Sequence, residues 1–377
     1  MTTAPPASAF PPARRVRVLA HGETPLEAVD RLLGVEPQPC PDPASLGPRE
    51  VLVAVRAAQV GWVDLLMSSG QYQHMAPPPY TPGLEYAGEV LAVGGEVSTW
   101  RPGDRIIADG LLTGPRSLGP YQQWGGFAGY ALAPEEGLRP LPPSFSYSEG
   151  ACLLGSYETA WHCLVARGRL QAGETVLVHG ATGATGLAAV HLARLIGATV
   201  IATGRSPAKL ERLRELGAHH VVRTVDEAGA PRPFRDDIRQ LTGGRGVEVV
   251  YDAVGGDISL ESLRCVAFGA RFLIVGWAST PFVAEGGGRR GAPRVNTLPT
   301  NLIMMKGLDV LGCPTAISTH RDPRGRAARL AALDGWIAEG RLRPVVGATY
   351  GFDEVREAMR AKWESRVVGG VVLHPWA

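Results

Sequence analysis

The sequence predicts an α/β protein of two domains, in which a β-rich domain is joined to a doubly wound parallel sheet. Three observations predict it. From Arg15 to about Leu141 the chain carries strand-like runs, RVRVLA, VLVAVRAAQV and YAGEVLAVGGEV, separated by Gly and Pro turns. From Tyr147 onward, short β-branched runs alternate with stretches of helical spacing. At 377 residues the chain exceeds one ordinary single-core domain, so two cores are expected.

Taken in order, SYSEGACLLGSYETAWHCLVARG has helical spacing, opened by a Ser and followed by the turn QAGE. TVLVHG, GLAAVHLARLIG and TVIATG then read as strand, helix and strand, a βαβ unit. The helical stretch AKLERLRELGA, the strand VEVVYDAVGG, the helix ISLESLRCVAFG and the strand RFLIVGW continue the alternation. Such alternation implies right-handed crossovers and a ligand crevice at the carboxyl ends of the strands. PFVAEGGGRRGAPRV is a Gly-rich, basic insertion, expected as a mobile loop beside that crevice. After Leu311 the chain is expected to leave this domain. RGRAARLAALDGWIAEGRL reads as a helix, VVGATYGFDEVREAMRAK as strand, turn and helix, and VGGVVLH as a last strand rejoining the first domain. The expected division is therefore 1–150 with 315–377, and 151–314, with residues 1–14 disordered.

Lys and Arg number 38 against 36 Asp and Glu, a formal charge of +2, which gives no field that argues for nucleic acid or a membrane surface. A small-molecule partner is expected instead. Cys40, Cys152, Cys163, Cys265 and Cys313 stand far apart with no close pair, so neither a disulfide framework nor a clustered zinc site is indicated. The N-terminal MTTAPPASAFPPARR has Pro where a signal peptide needs an apolar run, and no later stretch approaches the ~20 apolar residues of a span. A cytoplasmic protein is expected.

TVLVHG runs directly into Ala181, Thr182, Gly183, Ala184, Thr185 and Gly186 and then into a helix, the order a dinucleotide pyrophosphate requires. Gly183 lets backbone approach the phosphate, Gly186 permits close packing of helix on strand, and Ala181 stands in the usual first-glycine place. A cofactor lacking a 2′-phosphate calls for Asp or Glu at the end of the second strand, but the chain reads Thr203, Gly204, Arg205 and Ser206, with Lys209 one turn on. That set suits a phosphate and favours NADPH. The other reading of Arg205 and Lys209 is a solvated helix start. Val254 and Gly255, and Gly276 and Trp277, follow later strands at ends where the nicotinamide half would lie.

VDLLMSSGQY, TPGLEYAGEVLAVGGEV, RPGDRI, VLVHGATGATGLAAVHLARLIGATVIATG, VVYDAVGG and NLIMMKGLDVLG together resemble the medium-chain dehydrogenase/reductase superfamily, in its zinc-free quinone oxidoreductase and enoyl reductase branch. The resemblance implies a GroES-like β-rich catalytic domain, a Rossmann nucleotide-binding domain, an active cleft between them and a homodimer. Where zinc members carry a Cys and a His, this chain has Gly61 and Leu84, neither of which can ligate a metal. Asp64 and Glu85 remain beside those places, read either as site residues or as groups holding the cleft by hydrogen bonds.

On the same resemblance, Tyr72 matches a loop tyrosine that donates to substrate oxygen, and it heads the catalytic candidates with Asp64. Thr159 and Asn301 match cofactor-side positions; each also reads as an ordinary helix residue, Asn301 as a cap. Gly61 replaces a family Asn and Thr224 a family Tyr, while Trp62 either narrows the cleft or fills core. Without a Lewis acid, conjugated acceptors suit hydride transfer better than isolated ketones: enones, enoyl thioesters and quinones. Two rivals stand beside this reading, a nucleotide-binding sensor without turnover and an alcohol dehydrogenase-like enzyme that recruits metal elsewhere.

Overall fold

The computed structural model describes residues 10–279 and 296–377. The Gly-rich stretch 281–295 and residues 1–9 of the expected disordered terminus lie outside the described residues. The chain forms two compact units, one of residues 10–154 and 344–377, the other of 155–279 and 296–343.

The first unit opens with β1 (Ala13–Val18), α1 (Pro25–Glu27), β2 (Leu33–Gln38), β3 (Glu50–Gln59), α2 (Trp62–Ser68) and β4 (Glu85–Val93). It continues through β5 (Arg105–Ala108), β6 (Tyr130–Pro134), β7 (Leu138–Pro140) and α3 (Tyr147–Ala151). At α3 the Ser146 hydroxyl accepts from the Glu149 N–H while the Glu149 carboxylate accepts from the Ser146 N–H, a reciprocal cap that fixes the helix start.

The second unit holds α4 (Leu154–Trp161), β8 (Thr175–Val178), α5 (Ala184–Ile196), β9 (Thr199–Gly204), α6 (Pro207–Glu215), β10 (His220–Arg223) and α7 (Arg235–Leu241). It closes with β11 (Val247–Asp252), α8 (Asp257–Ser262), β12 (Val266–Ile274), α9 (Thr300–Lys306), β13 (Asp309–Gly312), α10 (Thr315–Arg321) and α11 (Pro323–Ala338). The chain returns to the first unit as β14 (Val346–Gly351), α12 (Val355–Trp363) and β15 (Gly370–His374).

The seven-stranded sheet of the first unit has the order β14-β15-β3-β4-β5-β7, with β6 also paired to β3. VGGVVLH does rejoin it: Val372 pairs with Gln59 and Leu373 with Ala58. Because β3 has β15, β4 and β6 as partners, nearly all of its side chains are buried, which is why EVLVAVRAAQ reads as a continuous apolar run.

The second unit is a Rossmann-type sheet of six parallel strands in the order β10-β9-β8-β11-β12-β13. The chain winds outward from β8 to β10 and restarts at β11, so the direction reverses between β8 and β11, where doubly wound sheets place ligands. Leu177, Ile201, Val250 and Phe272 from four of these strands share one core with Ile238 and Leu263.

Two expectations need correcting. The helix expected over ISLESLRCVAFG stops at Ser262, and Val266 already pairs in β12, because Val266 and, further along the strand, Phe272 pack into the core of this unit. Residues 315–343, expected with the β-rich domain, belong to the second unit. The reason is a buried ion cluster: Glu158 of α4 accepts from Arg326 at 2.9 and 3.1 Å and from Arg329 at 2.8 Å, which ties α11 into that unit.

Candidate active site

In the second unit β8 ends at Val178, and the turn that follows is built around Gly180, at φ +68°. The left-handed position is Gly180, one residue before Ala181, and a side chain there would be strained; Ala181, two residues before Gly183, is buried in the same turn. Gly186 is held against that turn, since a Cβ on it would lie 2.2 Å from the Gly180 carbonyl oxygen. Gly183 has ordinary φ, is the N-cap of α5, and a Cβ there would stand 3.4 Å from the same oxygen. No side chain of the described residues caps α5. The N–H groups of Ala184, Thr185 and Gly186 in its first turn therefore lack intrahelical partners and carry the positive end of the helix dipole. Thr182 sits half-buried in the turn before them.

The end of β9 faces the same side of the sheet. Gly204 closes the strand without a carboxylate, Arg205 is exposed, and Ser206 is the N-cap of α6 with its hydroxyl not engaged in capping. Burial and then the charge of Arg205, one helical turn before it in sequence, lower the Lys209 ammonium pKa. A third cation was missed in the sequence. Arg223 is the register partner of Gly204, and its Nε donates to the Arg205 carbonyl at 3.2 Å. Thr224 is buried and donates to the Gly204 carbonyl at 3.4 Å, a strand-end lock.

Behind the turn lies His179, fully buried between Thr203 Oγ1 and Ser262 Oγ, each 2.7 Å away. Ser262 gives its one proton to the Ile258 carbonyl at 2.6 Å, so His179 Nε2 must donate to Ser262 and the bare Nδ1 must accept from Thr203. Burial pushes this imidazole down to about 4, so it is neutral near pH 7.

At the end of β11, Asp252 is buried and its Oδ1 accepts from the N–H groups of Val254 at 2.8 Å and Gly255 at 3.0 Å, while Ser259 donates to Oδ2. Gly276 N–H donates to the Asp252 carbonyl at 3.2 Å, so the turns carrying Val254 and Gly255, and Gly276 and Trp277, lie side by side at the strand ends. Asn301 is exposed in the first turn of α9 but does not cap it; Pro299 holds the N-cap position. Thr159 is half-buried within α4, next to Glu158.

In the first unit, Gly61 is the N-cap of α2, and its N–H donates to Asp64 Oδ2 at 2.9 Å. Asp64 Oδ1 accepts from the N–H groups of Gly83 at 2.9 Å and Leu84 at 3.1 Å. The carboxylate is buried and pins α2 to the start of β4, with both oxygens engaged. Burial raises its pKa to about 6 against the opposing pull of those N–H groups and of Arg116. Glu85 is half-buried at the head of β4 and accepts from the Gln59 amide at 3.3 Å in that amide's bonded orientation.

Lys362 of α12, a second group missed in the sequence, joins them; burial lowers its pKa while Cys152, Glu85 and Asp64 oppose that. Trp62 stacks on Trp363 with centroids 4.8 Å apart and packs on the unit's core, so it fills core. Tyr72 is half-buried in the loop after α2, and its phenol has no hydrogen-bond partner among the described residues. Gly61 and Leu84 bring no donor atom, and among the described residues no group of three or more His, Cys, Asp or Glu is arranged to hold a metal ion. Nor is any described helix long and apolar enough to cross a membrane.

Residues 47–143 match the family model of the alcohol dehydrogenase GroES-like domain, and 184–324 that of the zinc-binding dehydrogenase. The chain is 32% identical over 332 residues to quinone oxidoreductase-like protein 2 homolog of Nematostella vectensis, covering 88% of this chain and 83% of that protein. It is 30% identical over 311 residues to the human quinone oxidoreductase, covering 82% and 84%. A solved quinone oxidoreductase of Pseudomonas syringae pv. Tomato DC3000 superposes with a TM-score of 0.74 at 26% identity, covering 96% of this chain and 100% of that one. With both family models matched in sequence order and relatives at 30% identity or more over most of its length, the chain belongs to the medium-chain dehydrogenase/reductase superfamily.

Proposed function

We propose that this oxidoreductase uses NADPH to reduce an activated carbon–carbon double bond, in an enone or enoyl thioester, or a quinone, without zinc. The observation that carries the reading is the cation set Arg205, Lys209 and Arg223 around Gly204, beside an α5 start that no side chain caps. The first-turn N–H groups of α5 would hold the diphosphate, and the cations would hold a 2′-phosphate whose charge relieves their mutual repulsion. Bound NADPH supplies the hydride. Tyr72, whose phenol has no hydrogen-bond partner among the described residues, is proposed to donate to the oxygen on which charge develops, and Asp64 to keep α2 and that loop in place. The relatives named as quinone oxidoreductases support the acceptor class.

Purified protein mixed with NADPH and a panel of enones, enoyl thioesters and quinones is expected to oxidise the nicotinamide with at least one of them. No substrate-dependent loss of absorbance across the panel defeats the proposal, and tight NADPH uptake in that case favours the sensor. Arg205→Ala combined with Lys209→Ala is expected to raise KM for NADPH by about tenfold or more while leaving KM for NADH little changed. Equal effects on the two overturn the cofactor assignment.

A further inference from the structure

A second concave site lies at the other end of the parallel sheet. A pocket of about 270 Å³ is lined by Arg235, Arg239, Arg245, Arg264 and Lys306, with Gly246, Val266 and the apolar Leu263 and Leu302 among the rest of its wall, and among the described residues no carboxylate lines it. Five cations converge there in a chain whose formal charge is only +2. One neighbouring acid is already engaged: Glu261 Oε1 accepts from the N–H groups of Phe234 and Arg235 at 3.2 Å each, and its Oε2 stands 3.8 Å from Arg264.

The frame that carries these cations is tightly built. Arg235 and Arg239 lie one turn apart on α7. Arg245 follows a turn in which Gly244 N–H donates to the Arg239 carbonyl at 2.7 Å and Gly246 N–H to Thr242 Oγ1 at 3.0 Å. Gly246 has φ +85°, and a Cβ on it would lie 2.5 Å from the Val266 carbonyl carbon, so this turn is wedged against the head of β12. Lys306 Nζ donates to the Val266 carbonyl at 3.4 Å, which holds the ammonium at the same place.

Like charges gathered in a pocket repel unless an anion joins them, and guanidinium groups from separate elements match the several oxygens of a phosphate. We propose that this pocket is a binding site for a small phosphate-type dianion, either free or as a phosphomonoester. The volume, just under the ~300 Å³ where ordinary organic-ligand pockets begin, suits that size and not a dinucleotide. The site is also separate from the glycine turn. Gly246 and Val266 stand at the amino ends of β11 and β12, whereas Gly180, Gly204 and Gly255 stand at carboxyl ends, roughly 17 Å away by strand rise.

The test is thermal unfolding and titration calorimetry of the full chain with inorganic phosphate or a sugar phosphate, against chloride at equal ionic strength, with and without saturating NADPH. The expected result is a saturable rise in Tm of a few degrees with at least one phosphate compound, retained when NADPH is present. Which of the two compounds binds more tightly tells the free ion from the monoester. Arg239→Ala combined with Arg245→Ala, both exposed positions, is expected to weaken that binding about tenfold or more while leaving NADPH titration unchanged. An equal rise with chloride, a rise that NADPH abolishes, or an unaltered affinity in the double variant overturns the proposal. So does binding confined to a single-stranded RNA oligonucleotide with steep salt dependence, which marks a diffuse polyanion surface.

Discussion

Asp64 shares Oδ1 between the N–H groups of Gly83 and Leu84 and gives Oδ2 to Gly61, so the carboxylate fastens three backbone donors at once. An Asn in its place keeps one oxygen but turns an amide N–H toward a backbone N–H, leaving a buried donor unpaired. Asp64→Asn is therefore expected to lower stability by about 2 kcal/mol in urea unfolding, with the loss of turnover no larger than the loss of folded protein. A reacting carboxylate predicts the reverse, full stability and no turnover. His179 gives a pH-dependent counterpart. Its imidazole is held neutral down to about 4, whereas in the unfolded chain it takes a proton near 6.5. The unfolded state thus binds more protons between those values, so this group's contribution is complete above about 6.5 and is lost as pH falls toward 4, by ~3 kcal/mol at most. His162, also pushed down to about 4 by burial, adds a slope of the same sign. His179→Gln is expected to flatten, not abolish, the fall in stability over that window. An unchanged slope in the variant refutes the neutral, buried assignment.

At the scale of elements, the β8–turn–α5 unit separates two duties that glycine performs. Gly186 lets helix and turn touch, because any Cβ collides with the Gly180 carbonyl; at Gly183 a Cβ would stand in contact with that oxygen at 3.4 Å without collision, on the side where a ligand would approach. Gly186→Ala is accordingly expected to lower Tm and to weaken NADPH binding together, whereas Gly183→Ala, with room for its methyl group, is expected to keep Tm within a degree or so and weaken binding alone. Calorimetric titration beside thermal unfolding checks both, and identical behaviour of the two variants contradicts the division. This unit was legible in the sequence because its signals are local: a β-branched run, clustered glycines and helical spacing follow one another within a few residues. The role of Gly180 was not legible, because HGATGATG offers more than one glycine frame and only the backbone dihedral selects among them. Arg223 was missed for a different reason. Its place beside Gly204 comes from the register of β10 on β9, and register is a property of two strands, not of one. The loss of metal donors at Gly61 and Leu84 was legible at once, since it depends on residue identity alone.

For the molecule as a whole, each unit has its own core, one centred on β3 and β4 and the other on β8, β11 and β12. The extent of the second unit depends on a contact across 171 residues of sequence, Glu158 with Arg329, which no local pattern announces and which the expected boundary at 315 therefore misses. The carboxylate is buried with two arginines, and Arg329 also donates to Thr319 Oγ1 at 2.7 Å, so α4, α10 and α11 share one network. Burial alone would raise the Glu158 pKa, yet the two guanidinium groups outweigh it and the group stays ionised. Removing the acid leaves one largely and one fully buried cation without their partner, a far larger cost than losing an exposed pair. Glu158→Ala is expected to destabilise the second unit by about 3 to 5 kcal/mol. Hydrogen exchange should then show amides of α4, α11 and β8 losing protection while those of β3 and β4 keep theirs, since the units have separate cores. Replacing Glu158 by Leu and both arginines by Met should recover part of the loss, because an apolar cluster of similar volume has no charge to desolvate. A uniform loss of protection over both units would mean that the ion cluster supports the molecule globally and not the second unit, and the assignment of α10 and α11 to that unit would fall with it.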